Sequence, residues 1–166
     1  MAFIVWMTGL PCSGKSTIAK KLNEEFPEME VLDGDELHKV LSMNNFSREE
    51  RLAQTGRIAY IAKLLLKHNV SVCVSVVTPF HESRELARKV IDDKRLIITH
   101  LKCSLDTCMS RDTKGMYKKT ENVTQFTGPY EYPNSVNLTI DTENNTIEKS
   151  VSEIKKYLKE NLLIKN

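Results

Sequence analysis

The chain has 166 residues, of which 40% are hydrophobic, and this is the size and composition of one ordinary domain with its own core. Its 24 Lys and Arg residues nearly balance its 22 Asp and Glu residues, so the net charge of +2 gives no indication of a nucleic-acid partner. The apolar run at 3–8 is far shorter than the ~18–20 residues of a membrane span and no secretory signal surrounds it, so we expect a cytoplasmic protein with no membrane partner.

Strands and helices are predicted to alternate along the chain. Short β-rich runs predict strands at 3–8, 29–33, 71–77, 96–103 and 136–141. Amphipathic segments predict helices near 16–25, 47–67, 82–92, 105–111 and 146–162. Because the strands are apolar throughout, we expect a parallel sheet that helices cover on both faces, which is a three-layer α/β/α sandwich.

The last predicted helix has apolar residues at helical spacing. We expect this face to pack on the sheet as plain structure. Its members are Ile147, Val151, Ile154, Leu158 and Leu162.

The first strand leads into GLPCSGKST, at 9–17, which fits the motif G-x-x-x-x-G-K-[ST] between a strand and a helix. Gly9 and Gly14 permit backbone angles that let successive N–H groups point at a phosphate, and the helix N-terminus adds its positive end. Lys15 is expected to reach the β and γ phosphates of ATP, and Ser16 to ligate Mg²⁺. The remaining expected ATP-binding residues of this loop are Cys12, whose side chain we interpret as small filler, Ser13 and Thr17.

The second strand ends in VLDGD, which places Asp33 and Asp35 at the carboxyl edge of the sheet, where α/β proteins bind ligands. One acid can accept the proton of an attacking hydroxyl group, and the other can hold Mg²⁺ directly or through water. The alternative interpretation is an Asp-Gly turn whose acids cap the next helix.

Between 112 and 133 the hydrophobic periodicity fails, and the segment is rich in Lys, Thr, Gly and Tyr. A segment of this length without a hydrophobic face is either disordered or a functional lid. Together with the short chain, the lid interpretation favours phosphoryl transfer to a small molecule, because a lid excludes water that would otherwise hydrolyse ATP.

The motifs resemble those of the adenylyl-sulfate (APS) kinase family over nearly the whole chain. The matching stretches are GLPCSGKST, VLDGD, FSREER, TPF followed by Arg84, RDTKGMYKK, QFTG, PYEYP and IDT. The resemblance implies a P-loop kinase fold with strand order 2-3-1-4-5 across 1–166, transfer of the ATP γ-phosphoryl group to a ribose 3'-hydroxyl, Mg²⁺, a lid and often a homodimer.

The resemblance also implies roles for individual residues. Asp35 resembles the acid that receives the 3'-hydroxyl proton, and Asp33 supports it. Lys114 is similar to the lid lysine that reaches into the closed site, and Arg111 lies where the family meets the ATP base. Arg51 resembles the arginine that holds the acceptor's anhydride. The other implied acceptor contacts are Phe46 and Phe126, similar to two aromatics that sandwich the base, and His38, Gln54 and Thr78.

Three positions depart from the family pattern by substitution. In addition, one residue is missing before Phe46, and FTG runs straight into PYE where the family has two or three more residues; all of these changes touch the expected acceptor pocket. His38 and Gly56 stand where the family has arginines, and Gln54 stands where it has asparagine. Replacing a bidentate arginine by histidine weakens a contact to a charged anhydride by about 1–3 kcal/mol. These changes favour cytidine diphosphoramidate, the acceptor of a family branch that acts in capsule synthesis, over adenylyl sulfate. Lys39 could still supply the missing charge, so both acceptors stay open.

Two rival functions remain at this stage. Another small-molecule kinase of the same fold, acting on shikimate or gluconate, shares the phosphate loop and an early acidic pair but lacks the FTG and PYE stretches. A regulatory module would bind ATP without turnover. Phosphate transfer to a panel of nucleotides separates both from a nucleotide 3'-kinase.

Overall fold

The computed structural model describes residues 1–41, 47–113, 115–117, 130–161 and 163–164. Its elements in chain order are β1 (Ile4–Thr8), α1 (Lys15–Glu25), β2 (Glu30–Asp33), α2 (Gly34–Val40), α3 (Arg48–Lys67), β3 (Val72–Ser75), α4 (His81–Ile91), β4 (Leu96–Lys102), α5 (Leu105–Ser110), β5 (Leu138–Asp141) and α6 (Ile147–Glu160). Each predicted strand and helix is present within a few residues of its expected bounds. The short helix α2 was not predicted.

Within the described residues the strands form one five-stranded sheet in the order β2-β3-β1-β4-β5. Every neighbouring pair is parallel, and Trp6 in the central strand lies between Val74 on β3 and Ile98 on β4. The predicted order is confirmed. It places the carboxyl ends of β2, β3 and β1 side by side at one edge of the sheet, which is where an α/β fold builds its ligand site.

Helices cover both faces of the sheet, as the continuous apolar strands predicted. Val5 and Met7 of β1 point into a core with α1 and α6. Ile4 and Trp6, which alternate with them, point into a second core with α3 and α4. Because consecutive side chains of a strand point to opposite faces, a strand that is buried on both sides must be apolar at every position.

The prediction for α6 is correct in its centre and wrong at its start. Val151, Ile154 and Leu158 are buried against the sheet, whereas Ile147 is 41% exposed. The hydroxyl of Thr146 caps the helix by accepting the N–H of Lys149, so Ile147 begins the first turn and lies at the rim of a cleft. Leu162 lies outside the described residues. None of the helices described here has both the length and the apolar character needed to cross a membrane.

Candidate active site

The loop between β1 and α1 has a backbone that only small residues permit. A Cβ atom on Gly9 would lie 2.7 Å from Ser13 Oγ and 2.9 Å from the backbone oxygen of Leu101 on β4. Gly14 has a φ of 99° and occupies the N-cap position of α1, so a side chain there would strain the turn. The loop therefore makes a tight turn at the edge of the sheet and ends at the N-terminus of α1, which is the strand–loop–helix arrangement that the motif predicted.

Lys15 is 8% exposed and points into its own loop. Its Nζ donates to the carbonyl oxygens of Gly9 at 2.9 Å and Leu10 at 2.7 Å, and it lies 3.5 Å from Ser13 Oγ. Burial removes water from the ammonium group and lowers the pKa of Lys15 from 10.5 to about 8. The loop carbonyls thus hold the Lys15 ammonium group beside the place where phosphate oxygens would bind.

Asp33 joins the phosphate loop to the second strand. Ser16 Oγ donates to Asp33 Oδ2 at 2.6 Å, and the backbone N–H of Asp35 donates to Asp33 Oδ1 at 3.0 Å. Asp33 is also the N-cap of α2, so the capping interpretation is confirmed, and the functional interpretation stays a prediction. A hydroxyl and a carboxylate this close, next to a phosphate site, form the oxygen-only donor set that suits Mg²⁺, so the residues expected to hold the ion fit it.

One cleft of about 1290 Å³ runs past both the phosphate loop and the acidic turn. Asp35 is exposed at the start of α2 and lines this cleft. Most predicted site residues in the described part of the chain line it as well. They are Cys12, Gly14, Lys15, Ser16, Thr17, Asp33, Asp35, His38, Arg51, Gln54, Thr78 and Arg111, whereas Gly9 and the fully buried Ser13 shape the loop from inside.

The predicted acceptor side is formed by α2 and α3. His38 and Lys39 lie in the last turn of α2 and line the cleft. Across from them, burial lowers the pKa of the Arg51 guanidinium below its ordinary value, which marks a cation held in a partly water-excluded wall. Gln54 is 7% exposed, and its Oε1 accepts from Arg57 at 3.4 Å. Two of the three departures from the family pattern, His38 and Gln54, therefore do lie on the cleft wall.

Arg111, predicted to meet the ATP base, is held on the cleft wall by Thr142, a residue that the sequence analysis did not identify. Arg111 donates to the backbone oxygen of Thr142 at 2.9 Å and contacts Cys103 Sγ at 3.5 Å. The hydroxyl of Thr142 in turn donates to the backbone oxygen of Ser13 at 2.8 Å. Thr142 ends the IDT stretch, so its presence could be noticed in the sequence, but its contact with the phosphate loop spans the sheet and has no local signal.

The turn after β3 carries Thr78, a predicted acceptor contact, and is contacted by Arg84, to which the sequence analysis assigned no role. Thr78 has a φ of 44°, an unusual conformation for a β-branched residue. Its hydroxyl accepts the indole N–H of Trp6 at 2.9 Å, and its carbonyl accepts from Arg84 Nη1 at 2.9 Å. Arg84 was quoted in the sequence motifs without a role, and only the folded chain brings its guanidinium to this turn.

Part of the predicted site lies outside the described residues, namely Phe46, Lys114 and Phe126. The aromatic sandwich and the lid lysine therefore stay predictions. Of the predicted lid, the first turn is described: the Asp112 carboxylate accepts the N–H groups of Met116 at 2.9 Å and Tyr117 at 2.8 Å. The Tyr117 hydroxyl donates to the carbonyl of Pro11 at 2.7 Å, which ties this turn to the phosphate loop.

Comparisons with known proteins agree with this geometry. The family model for adenylylsulphate kinase matches residues 1–141. A probable adenylyl-sulfate kinase of Aeropyrum pernix is 42% identical over 94% of this chain and 92% of its own length. The adenylyl-sulfate kinase of Staphylococcus epidermidis is 40% identical over 95% of this chain and 84% of its own.

Among solved structures, the Mycobacterium tuberculosis APS kinase CysC in complex with AMPPNP and APS has a TM-score of 0.88 at 30% identity, covering 95% of this chain and 98% of that chain. These matches confirm the resemblance and the enzyme class, a phosphotransferase with an alcohol group as acceptor. By sequence, fold and site geometry, the chain belongs to the adenylylsulphate kinase family.

Proposed function

We propose that the protein transfers the γ-phosphoryl group of ATP to the ribose 3'-hydroxyl of adenylyl sulfate, with Mg²⁺ as cofactor. The observation that carries this proposal is that one cleft is lined by Lys15 and Ser16 of the phosphate loop and also by Asp35 and Arg51. A donor and an acceptor bound in that space would meet at the edge of the sheet. The relatives that carry the adenylyl-sulfate name support this acceptor.

On the donor side, the positive end of α1 and the Lys15 ammonium attract the β and γ phosphates. Lys15 must leave the carbonyl oxygens of Gly9 and Leu10 to reach them, and a phosphate oxygen is a stronger acceptor than either carbonyl. Ser16 and Asp33 would hold Mg²⁺, which when bound neutralises charge on the phosphates.

On the acceptor side, Asp35 would take the proton of the 3'-hydroxyl as the oxygen attacks phosphorus. The bond between the γ-phosphorus and the bridging oxygen of ADP breaks, a new phosphorus–oxygen bond forms to the ribose, and the proton ends on the Asp35 carboxylate. Arg51 on the facing wall would hold the anhydride, because a half-buried guanidinium binds phosphate-like oxygens strongly.

Cytidine diphosphoramidate is the second candidate acceptor, and one observation favours it. His38 lies on the cleft wall where the family pattern has arginine, so one guanidinium group that could bind the anhydride is missing. A phosphoramidate end carries less charge than a sulfate, so its binding depends less on an arginine contact. The matched relatives do not support this preference, so it depends on the pocket substitutions alone.

The decisive experiment measures kcat/KM for both nucleotides with the same concentration of Mg-ATP and identifies the phosphorylated position by NMR. We expect a 3'-phosphorylated product, with adenylyl sulfate the better substrate. A His38→Arg variant should raise the preference for adenylyl sulfate further if residue 38 contacts the anhydride. ATP binding without transfer to either nucleotide, or transfer only to shikimate or gluconate, would refute the proposal.

The remaining sequence-based expectations concern the setting of the enzyme. A single kinase domain, a homodimer and a cytoplasmic location are part of the proposal. The length and composition of the chain support the single domain, and the family resemblance supports the homodimer. Light scattering of the purified chain tests the dimer directly.

A further inference from the structure

The turn after β3, at 77–79, occupies the middle of the candidate site. In the sheet, β3 lies between β2, which ends at Asp33, and β1, which leads into the phosphate loop. The turn lines the cleft together with the residues on both sides of it. Donor and acceptor must therefore meet against this turn if the site works as proposed.

Thr78 is the strained residue of this turn. Its φ of 44° is unfavourable for a side chain branched at Cβ, and such a conformation persists only where the surroundings enforce it. Thr78 is 4% exposed, so little of it faces bulk water. Strain of this kind at the wall of a ligand site is an observation that calls for a functional explanation.

Three hydrogen bonds, two from β1 and one from α4, enforce the conformation. The indole N–H of Trp6 donates to Thr78 Oγ1 at 2.9 Å. The carbonyl oxygen of Thr78 accepts from Thr8 Oγ1 at 3.1 Å and from Arg84 Nη1 at 2.9 Å. Thr8 is the residue immediately before the phosphate loop, so the turn is fixed relative to the ATP side of the cleft.

Arg84 is the centre of this arrangement. It is 2% exposed, and it also donates from Nη2 to the backbone oxygen of Glu131 at 2.7 Å. The backbone N–H of Glu131 donates to the oxygen of Pro79 at 2.8 Å, and the neighbouring Tyr130 hydroxyl lies 3.0 Å from Thr8 Oγ1. One buried guanidinium thus connects the strained turn to the segment that begins at Tyr130.

A purely structural role is the competing explanation, since a buried arginine that donates to carbonyl oxygens stabilises many folds. Two details favour more than that. First, the carbonyl that Arg84 holds belongs to the strained residue on the cleft wall. Second, Arg84 also holds the backbone oxygen of Glu131. The carboxylate of Glu131 accepts the N–H of His81 at 2.6 Å and contacts Arg48 at 3.5 Å. Arg48 lies one turn before Arg51 on α3.

We infer that Arg84 is a positioning residue that holds the strained Thr78 turn in the shape that orients the acceptor toward the γ-phosphate. The inference rests on the proposed function, because it needs an acceptor in the Asp35 half of the cleft. Arg84 itself does not line the cleft and is not expected to touch substrate. Its effect should therefore fall on the acceptor and on turnover, with ATP binding left intact.

The test compares Arg84→Lys with Arg88→Lys. Arg88 is a matched control, since it lies one turn further along α4 and donates to the oxygens of Ser135 and Asn137, away from the turn. A lysine at position 84 keeps the charge but cannot hold two carbonyls with a planar fork. We expect Arg84→Lys to raise KM for the acceptor at least tenfold and lower kcat, with KM for ATP within twofold of wild type, while Arg88→Lys changes neither.

Equal changes in both KM values, or a lower Tm without any change in KM for the acceptor, would overturn the positioning role. If Arg84→Lys does not fold, Arg84→Gln, whose shorter amide keeps N–H donors but lacks the planar fork that holds both carbonyl oxygens, is expected to show the same pattern. A crystal structure of either variant gives an independent readout. We expect the φ of Thr78 to relax to a negative value, and an unchanged positive φ would refute the inference.

These readouts separate the two proposals. Wild-type enzyme that phosphorylates neither nucleotide refutes the proposed function, and the φ of Thr78 in the variants then still decides whether Arg84 holds the turn. Wild-type enzyme that is active, with an Arg84→Lys variant that is kinetically identical to it, refutes the positioning role alone.

Discussion

Asp35 is the residue on which the proposed chemistry depends most directly. Its carboxylate is exposed at the start of α2 and lines the cleft. Replacing it by asparagine removes the proton acceptor while keeping the shape, so kcat should fall by about 10²–10⁴ with the Kd for ATP unchanged. Glu36→Gln, one residue further on the same helix, is the control and should stay fully active. An Asp35→Asn enzyme with wild-type turnover would exclude this base.

Lys15 gives the site a defined pH dependence. Burial disfavours the charged form of this lysine and lowers its pKa to about 8. Bound phosphates favour the charged form, so the pKa is higher in the complex. As pH rises through 8 the free enzyme loses this proton before the complex does, and the affinity for Mg-ATP should fall by up to about tenfold per pH unit.

Measuring KM for ATP between pH 7 and 10 checks this expectation. A Lys15→Arg variant is the control, because a guanidinium stays protonated throughout and its ATP affinity, though weaker, should not follow the same curve. A flat profile in the wild-type enzyme would show that the lysine does not titrate in this range.

Sequence reasoning succeeded for residues whose role is local. The phosphate loop and the acidic turn could be identified because each is a short contiguous stretch with a strand before it. Thr142 and Arg84 could not, because their contacts with Ser13 and Thr78 join positions far apart in the chain. The departures at His38 and Gln54 both lie on the wall of the cleft, but the acceptor itself does not follow from them.

At the scale of the element, replacing Gly9 or Gly56 by alanine is expected to have opposite effects on the protein. A methyl group on Gly9 would meet the Leu101 backbone oxygen at 2.9 Å, so Gly9→Ala should open the phosphate loop and weaken ATP binding at least tenfold. A methyl group on Gly56, inside α3, would meet Leu86 at 3.8 Å, an ordinary contact. Gly56→Ala should therefore stabilise the protein by about 0.5–1 kcal/mol.

Calorimetric titration with ATP and urea unfolding separate these two outcomes. Wild-type ATP affinity in Gly9→Ala would mean that the loop tolerates the displacement of β4. A destabilised Gly56→Ala would mean that α3 and α4 pack more tightly than the contact distance indicates.

Helix α2 shows why one element escaped prediction. None of its residues is buried, so it has no hydrophobic face for periodicity to reveal. It is stabilised instead at its ends: Asp33 caps it, Asp35 and Glu36 lie in the first turn, and His38 and Lys39 lie in the last. The other helices were found because each presents an apolar side to the sheet, and that signal is absent here.

At the scale of the whole molecule, His100 links the fold to acid stability. It lies on β4, 7% exposed, and burial, with a smaller contribution from Arg84, lowers its pKa from 6.5 to about 4. The imidazole of His100 becomes protonated near pH 6.5 in the unfolded chain but only near pH 4 in the folded chain. The stabilisation is complete above pH 6.5 and is lost as the pH falls toward 4, by on the order of 2–3 kcal/mol.

Urea unfolding of the wild type and of His100→Gln at pH 7.5, 5.5 and 4.5 isolates this effect, because carboxylates titrate alike in both proteins. The difference in unfolding free energy between them should shrink as the pH falls. His68→Gln, at the exposed C-cap of α3, is the control and should show no such trend. A constant difference for His100→Gln would contradict the assignment.

The architecture was predictable because a buried parallel sheet imposes one repeating pattern on the whole chain. The central strands β3, β1 and β4 are buried on both faces and mostly apolar, and the crossovers supply the covering helices, so the alternation was visible along the chain. The strand order followed from the family resemblance, not from the pattern. What neither could give is the network that ties Thr8, Thr78 and Arg84 together, since hydrogen bonds between residues far apart in the chain leave no periodic trace.

The hydrogen bond from the indole of Trp6 to Thr78 has a practical consequence. Trp6 is the single tryptophan of the sequence, fully buried in the central strand. Its intrinsic fluorescence therefore reports on the turn that faces the acceptor, with no dye attached. A nucleotide that draws the Thr78 hydroxyl toward itself changes the polarity around that indole, and the emission spectrum becomes a direct optical record of occupancy in that half of the cleft.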